Sequence, residues 1–271
     1  MQEYGVGIFE VTETKSALKK ILKKEHITVD GKIATSATLL KGGEKICLVN
    51  LEKEPLNKIL DLKLKILFED DYLAIVHKPA GIVVSGNTFK TIANALPQNL
   101  KTSNLSDATT PQPIHRLDFG TTGLLLVGKM NRSIRALNKL FEKQEIQKTY
   151  YAVTIGEMRY FGRITSPIED KEAQSNYTLD DSVSSERFGK LNLVQLEPKT
   201  GRKHQLRKHL SSIGNPILGD TDYGIENLIL KGKGLYLHAY SLKFMHPFTN
   251  ELVHVKDELP EKFRKIFIQQ G

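Results

Sequence analysis

The segment His115-Arg116-Leu117-Asp118 sets an imidazole, a guanidinium and a carboxylate side by side and runs directly into Phe119-Gly120-Thr121-Thr122. On an extended backbone, side chains two apart share a face, so Arg116 and Asp118 project together while His115 and Leu117 face the other way. The Gly and Thr turn places Asp118 at a strand end beside an open loop, a usual place for a catalytic group. An Arg-Asp pair on a strand is equally the make-up of a surface ion pair, and these residues alone favour neither reading. Residues 199–209 form a second concentration of chemistry, with Arg202, Lys203, Arg207 and Lys208 and no acid. Such a run either attracts anions or is a solvated helix face.

Other chemistries lack their signatures. The sequence has no Walker A segment, no helical HExxH, no GxGxxG after a strand and no GxSxG, so triphosphate hydrolysis, zinc proteolysis, nicotinamide chemistry and serine hydrolysis find no support. The eight histidines are scattered; His204 and His209, five apart on one helix, turn to different faces, and no metal site is expected. Cys47, the single cysteine, lies between Ile46 and Leu48 and reads as a buried thiol, with neither an internal disulfide nor a CxxC pair available. The 39 Lys and Arg against 31 Asp and Glu give a net charge of +8, which favours a polyanionic partner. No basic stretch followed by an apolar run opens the chain and no run approaches 18 apolar residues, so a cytoplasmic protein without membrane association is expected.

The 271 residues, 39% of them hydrophobic, are enough for about two domains with packed cores. In the first, Ser16 is placed to cap a helix with Ala17, Leu18, Ile21 and Leu22 at helical spacing, crowded by Lys15, Lys19, Lys20, Lys23 and Lys24. Strand-like Ile27-Thr28-Val29, an Asp30-Gly31 turn, Lys32-Ile33 and residues 45–49 follow, while residues 34–40 make a poor second helix. Residues 51–62, with Pro55, read as a linker.

From Leu64 onward strands dominate. Residues 64–68 and 72–77 read as a hairpin about Glu69-Asp70-Asp71 that ends at Lys78-Pro79-Ala80-Gly81, followed by a strand Ile82-Val83-Val84. Residues 97–113, with three prolines and no apolar periodicity, read as a loop. Extended segments are expected at 114–118, 123–129, 148–156, 191–197, 235–244 and 251–256. Helices are expected at 132–144, with Ile134, Leu137 and Phe141 inward and Arg132, Arg135, Lys139 and Lys143 outward, at 201–213, burying Leu206, Leu210 and Ile213, and at 261–269. Strands outnumber helices without alternating with them, which predicts an α+β fold with a mixed, largely antiparallel central sheet and flanking helices.

These blocks, in this order and spacing, resemble the RluA-type RNA pseudouridine synthase family from residue 64 onward. The resemblance is carried by residues 67–73 with His77-Lys78-Pro79-Ala80-Gly81, by residues 115–126, by Lys148-Thr149-Tyr150-Tyr151-Ala152-Val153, and by Thr200-Gly201-Arg202-Lys203-His204-Gln205-Leu206-Arg207 continuing to Gly219-Asp220 and Tyr223-Gly224. Thr122 stands where the family usually has serine, Gly128 where it has alanine, and residues 109–113 replace its usual approach to the catalytic block. The basic helix, turn and glycine-rich loop ahead of it resemble an S-four-type RNA-binding module, with lysine in place of the usual arginines.

The resemblance implies a module with its linker over 1–62 and a catalytic domain over 63–271; a monomer acting on RNA is expected, with ribosomal RNA placed ahead of transfer RNA by the basic N-terminal module. It implies isomerisation of uridine to pseudouridine, which needs no cofactor or metal, with Asp118 as nucleophile or base and Arg207 as its charge partner. Tyr150 would stack on the target uracil, Leu206 would close the other face, and Arg116 would fill the space vacated when the base leaves its stack. Lys78, Arg202, Lys203, the outer face of the 132–143 helix, and Lys19, Lys20 and Lys23 are candidate RNA contacts. The competing expectation is a noncatalytic RNA-binding or ribosome-assembly protein that retains the fold; a methyltransferase or deaminase would require a cofactor loop or zinc cluster that the sequence lacks.

Overall fold

The structure is a computed structural model that describes residues 1, 3–49, 60–230 and 232–267. The chain divides into two compact units, Met1–Lys58 and Ile59–Gly271. In the small unit, helix α1 (Lys15–Lys23) buries Leu18 and Leu22 on Ile27 and Ala34. Its cap is Thr14 rather than Ser16: the Thr14 backbone is still extended, and its hydroxyl accepts the Ala17 N–H at 3.1 Å. Lys19, Lys20 and Lys23 occupy the exposed face. Strands β1 (Ile27–Val29), β2 (Lys32–Ile33) and β3 (Ile46–Leu48) form an antiparallel sheet in the order β2-β1-β3. Cys47 on β3 is half-buried rather than buried. Most of the linker expected at 51–62, Pro55 included, lies outside the described residues.

The large unit is α+β. Its strands are β4 (Ile66–Glu69), β5 (Leu73–Lys78), β6 (Ala108–Pro113), β7 (Thr122–Met130), β8 (Gln147–Ile155), β9 (Phe161–Ile164), β10 (Ser175–Ser185), β11 (Gly189–Pro198), β12 (Leu237–Met245) and β13 (Leu252–Lys256). They form one sheet in the order β4-β5-β7-β12-β8-β11-β10-β9, with β6 added to β7 and β13 to β12. β7 and β12 run parallel, and the other strand pairings among the described residues are antiparallel. Helices α2 (Ile92–Asn99), α3 (Asn131–Glu142), α4 (Gln205–Ser212) and α5 (Glu261–Phe267) flank the sheet. No helix among the described residues is long and apolar enough to cross a membrane.

Of the loop expected at 97–113, only residues 100–107 are loop; the ends belong to α2 and β6. Thr91 caps α2 by accepting the Asn94 N–H at 3.1 Å, and burial of Ile92, Ala95 and Leu96 holds the helix despite Pro97. Pro111 and Pro113 lie in β6, which pairs with β7 alone; an edge strand tolerates the missing donors. Val83 makes an isolated bridge to Thr91 in place of a strand, and the extended segment expected at 114–118 is irregular. The helix expected at 201–213 begins only at Gln205, because His204 adopts φ +56, and Ile213 is 39% exposed rather than buried. β9 and β10 were invisible to periodicity, since β10 is mostly polar and buries only Ser175, Tyr177 and Val183.

Two features bring the site together. Where β7 meets β12, Thr122 pairs with His238 and Gly123 with Ala239. A Cβ at residue 123 would lie 2.2 Å from the Ala239 carbonyl oxygen, and the backbone there has φ +108, so this approach requires glycine. Beside this junction, Tyr150 on β8 packs against two apolar clusters, one under α4 and the other under α2.

Candidate active site

Asp118 sits in the irregular segment between β6 and β7, and that segment is held by its backbone. The Lys78 ammonium, at the end of β5, donates to the carbonyls of Pro79 (2.8 Å), Thr121 (2.7 Å) and Phe119 (3.3 Å). The Gly81 N–H donates to the Phe119 carbonyl at 2.9 Å, and the Thr121 N–H to that of Asp118 at 3.1 Å. Thr122 Oγ1 and His238 Nδ1 are 2.8 Å apart and tie the exit of the loop to β12. Lys78 is fully buried and therefore is not the phosphate contact its charge suggested; burial pushes its ammonium down to about 8 against the opposing pull of Asp118. His115 is likewise structural: its Nε2 accepts the Leu126 N–H at 3.0 Å, and burial, aided by Lys148, pushes the imidazole down to about 4.

Arg207, in the first turn of α4, faces Asp118 with Nη1 3.8 Å from Oδ2. Its other edge is occupied: Nε donates to Asp220 Oδ2 and Nη2 to Asp220 Oδ1, both at 2.7 Å, and Nη2 also reaches Asp222 Oδ2 at 2.7 Å. Burial lowers the guanidinium, but the bonds to Asp220 and Asp222 outweigh it and raise the group above its ordinary value, so it stays charged. His204 Nε2 lies 3.8 Å from Asp118 Oδ1, while its Nδ1 is 2.9 Å from the Tyr223 hydroxyl. The left-handed backbone at His204 aims this ring back at Asp118 instead of along the helix.

These groups line a cavity of about 320 Å³ that opens to solvent, within the size range of small-ligand sites. Tyr150, Leu206 and Leu237 supply apolar wall, while Arg116, Arg202, Lys203, Arg207 and Lys148 supply positive charge. Burial, and then Asp118, push the Tyr150 phenol upward, so it stays protonated and offers a neutral ring. A chamber with one accessible carboxylate, an aromatic wall and a cationic rim fits a planar base carried on a phosphodiester chain.

Comparison with known proteins agrees with that chemistry. Residues 72–212 match the family model described as RNA pseudouridylate synthase. The chain belongs to that family, in its RluA branch. An uncharacterized RNA pseudouridine synthase of Aquifex aeolicus is 32% identical, over 94% of this chain and 88% of its own length. The ribosomal large subunit pseudouridine synthase D of Vibrio cholerae is 32% identical over 92% of this chain and 84% of its own. The solved structure of human RNA Pseudouridylate Synthase Domain Containing 4 superposes with a TM-score of 0.61 at 27% identity, covering 73% of this chain and 90% of that one.

In this pseudouridine synthase the structure gathers Asp118, Tyr150, Arg207, Arg116, Leu206, Arg202 and Lys203 around one cavity. It does not join Arg116 to Asp118: with 114–118 irregular rather than extended, Arg116 is exposed and the charge facing the carboxylate is Arg207. On the outer face of α3, Arg132 is engaged with Asp107 at 3.3 Å and lies over the Tyr72 and Phe248 rings, so it is not a free phosphate contact. Among the described residues no group of His, Cys, Asp or Glu could hold a metal ion. Sequence reasoning assigned no role to His204, Asp220 or Lys148, although each lies inside a block that carried the resemblance. For Asp222, brought to Arg207 only by the turn after Asp220, the sequence held no signal.

Proposed function

We propose that this synthase converts a uridine of large-subunit ribosomal RNA to pseudouridine, with Asp118 as the nucleophile or base. The observation that carries the reading is a solvent-reachable carboxylate facing a buried guanidinium at 3.8 Å, in a cavity walled by Tyr150. In the reaction the bond from N1 of uracil to C1′ of ribose breaks, the base turns, and C5 bonds to C1′; the C5 hydrogen leaves and N1 gains one. Nothing is added or removed overall. The Asp118 carboxylate serves by attacking C1′ or by taking the C2′ proton. The target base leaves its stack at a cost of a few kcal/mol, Tyr150 and Leu206 receive it, and Arg116 fills the space it vacates.

The ribosomal target is supported by relatives named for the large ribosomal subunit. The Met1–Lys58 unit, with Lys19, Lys20 and Lys23 along one face of α1, serves as an S-four-type RNA-binding module ahead of a catalytic domain beginning near residue 63. Carbodiimide mapping of pseudouridines in cells with and without the gene tests the proposal. One or more sites in large-subunit ribosomal RNA should disappear. A lost site in transfer RNA instead would replace the substrate, and an unchanged map would remove the activity.

A further inference from the structure

Lys148 stands two residues before Tyr150 on β8, so both side chains leave the same face of the strand, and both line the cavity. Its ammonium lies 5.7 Å over the Phe141 ring. Burial first, and the neighbouring Lys199 second, push it below its ordinary value. Lys199 is already engaged by Glu197 at 3.1 Å. The two lysines, with Glu197 held by Lys199, also border an adjoining recess of about 190 Å³ beside Gln147, Thr149 and Pro198. A partly desolvated cation beside a second cation is costly, and that cost falls when an anion arrives.

We propose that Lys148 binds a phosphate of the target nucleotide, forming a phosphodiester subsite next to the uracil site. Two residues of strand span about 6.6 Å, close to the separation of a pyrimidine ring from a phosphate on its own ribose. With the base on Tyr150, that phosphate falls at Lys148 and the recess beyond it. The cation over Phe141 is held in place before RNA arrives, so this residue selects for a nucleotide within a chain over a free nucleoside. The inference rests on the reading of the cavity as a uridine site.

The test is NMR titration of the full-length protein with uridine, uridine 5′-monophosphate, uridine 3′-monophosphate and inorganic phosphate. The wild type should bind one of the two monophosphates about tenfold more tightly than uridine, as a charge-assisted contact allows. Lys148→Met, which keeps the stem, should erase that preference while leaving uridine affinity unchanged, and Lys148→Arg should retain it. Unaltered nucleotide preference in Lys148→Met overturns the proposal, as does inorganic phosphate binding as tightly as the nucleotide. Failure of the wild type to bind uridine or either nucleotide would instead remove the uridine site itself. As a second readout, the slope of log affinity against log salt for a large-subunit ribosomal RNA transcript should become shallower by about 0.7 in Lys148→Met.

Discussion

Arg207 meets Asp118 and Asp220 with opposite edges of one guanidinium: Nη1 is 3.8 Å from Asp118 Oδ2, while Nε and Nη2 are each 2.7 Å from Asp220. The paired bonds fix the plane of the group, so the charge facing Asp118 is oriented before any substrate enters. Asp220 is in turn held by the N–H groups of Asp222 and Tyr223 at 3.0 and 3.1 Å.

Asp220→Asn should therefore lower kcat by about a hundredfold while changing KM less than about threefold, because it disorients a group facing the reaction and touches no substrate. Asp222→Asn is the contrast. The Asp222 side chain is 54% exposed against 0% for Asp220, so its loss should cost no more than about threefold. Steady-state kinetics on a ribosomal RNA transcript separates the two, and equal effects would contradict this division of roles.

Asp118→Asn should lower turnover by about 10⁴-fold or more with RNA affinity and melting temperature retained, since the acid is reached by solvent and its charged neighbours Arg207 and His204 stand 3.8 Å away. Tyr150→Ala should reduce kcat/KM by about 10- to 100-fold, the usual cost of removing a stacking surface for one base. Tritium release from C5-labelled uridine in RNA measures both, with circular dichroism as the folding control.

Lys78→Met should destabilise the protein by about 1–3 kcal/mol, because three carbonyls lose their donor in a buried place. It should also reduce activity by loosening the loop that carries Asp118. The salt dependence of RNA binding should not change, since Lys78 has no exposed surface. Urea unfolding and binding titrations at several salt concentrations check both halves; a shallower salt slope would restore Lys78 as a phosphate contact.

Burial pushes the His238 imidazole down to about 4. Between that value and the usual 6.5 the unfolded chain binds a proton that the folded one refuses, so stability rises with pH across this window and is lost as pH falls through it. The slope from this residue should reach about 1.4 kcal/mol per pH unit. In His238→Gln, urea midpoints measured from pH 4.5 to 7 should flatten by that contribution. A variant whose profile parallels the wild type would show that His238 does not carry it.

The sheet was legible wherever burial writes itself as apolar strands: β5, β7 and β8 alternate or run continuously through the core, and their limits lie close to expectation. β10 was not, because its outward positions are polar and its pairing with β9 and β11 is set by neighbours distant in sequence. α2 and β6 were hidden by prolines that a capped short helix and an edge strand tolerate. At the site, residue types identified Asp118 as a candidate, and its partner Arg207 was indicated by the family resemblance but not by spacing. Period-two alternation pointed to Arg116, but the chain bends at 114–118 and Arg207 arrives from about ninety residues downstream. Lys78 was misread because a charge in a sequence carries no mark of whether it faces water or a ring of carbonyls.

The three bonds from Lys78 go to main-chain oxygens, and none of them reads the side chains of Phe119, Gly120 or Thr121. At Phe119 anchorage and side-chain identity are thereby uncoupled. Phe119, 61% exposed at the tip, can therefore be exchanged for a residue of another shape or polarity while the acid beside it keeps its place.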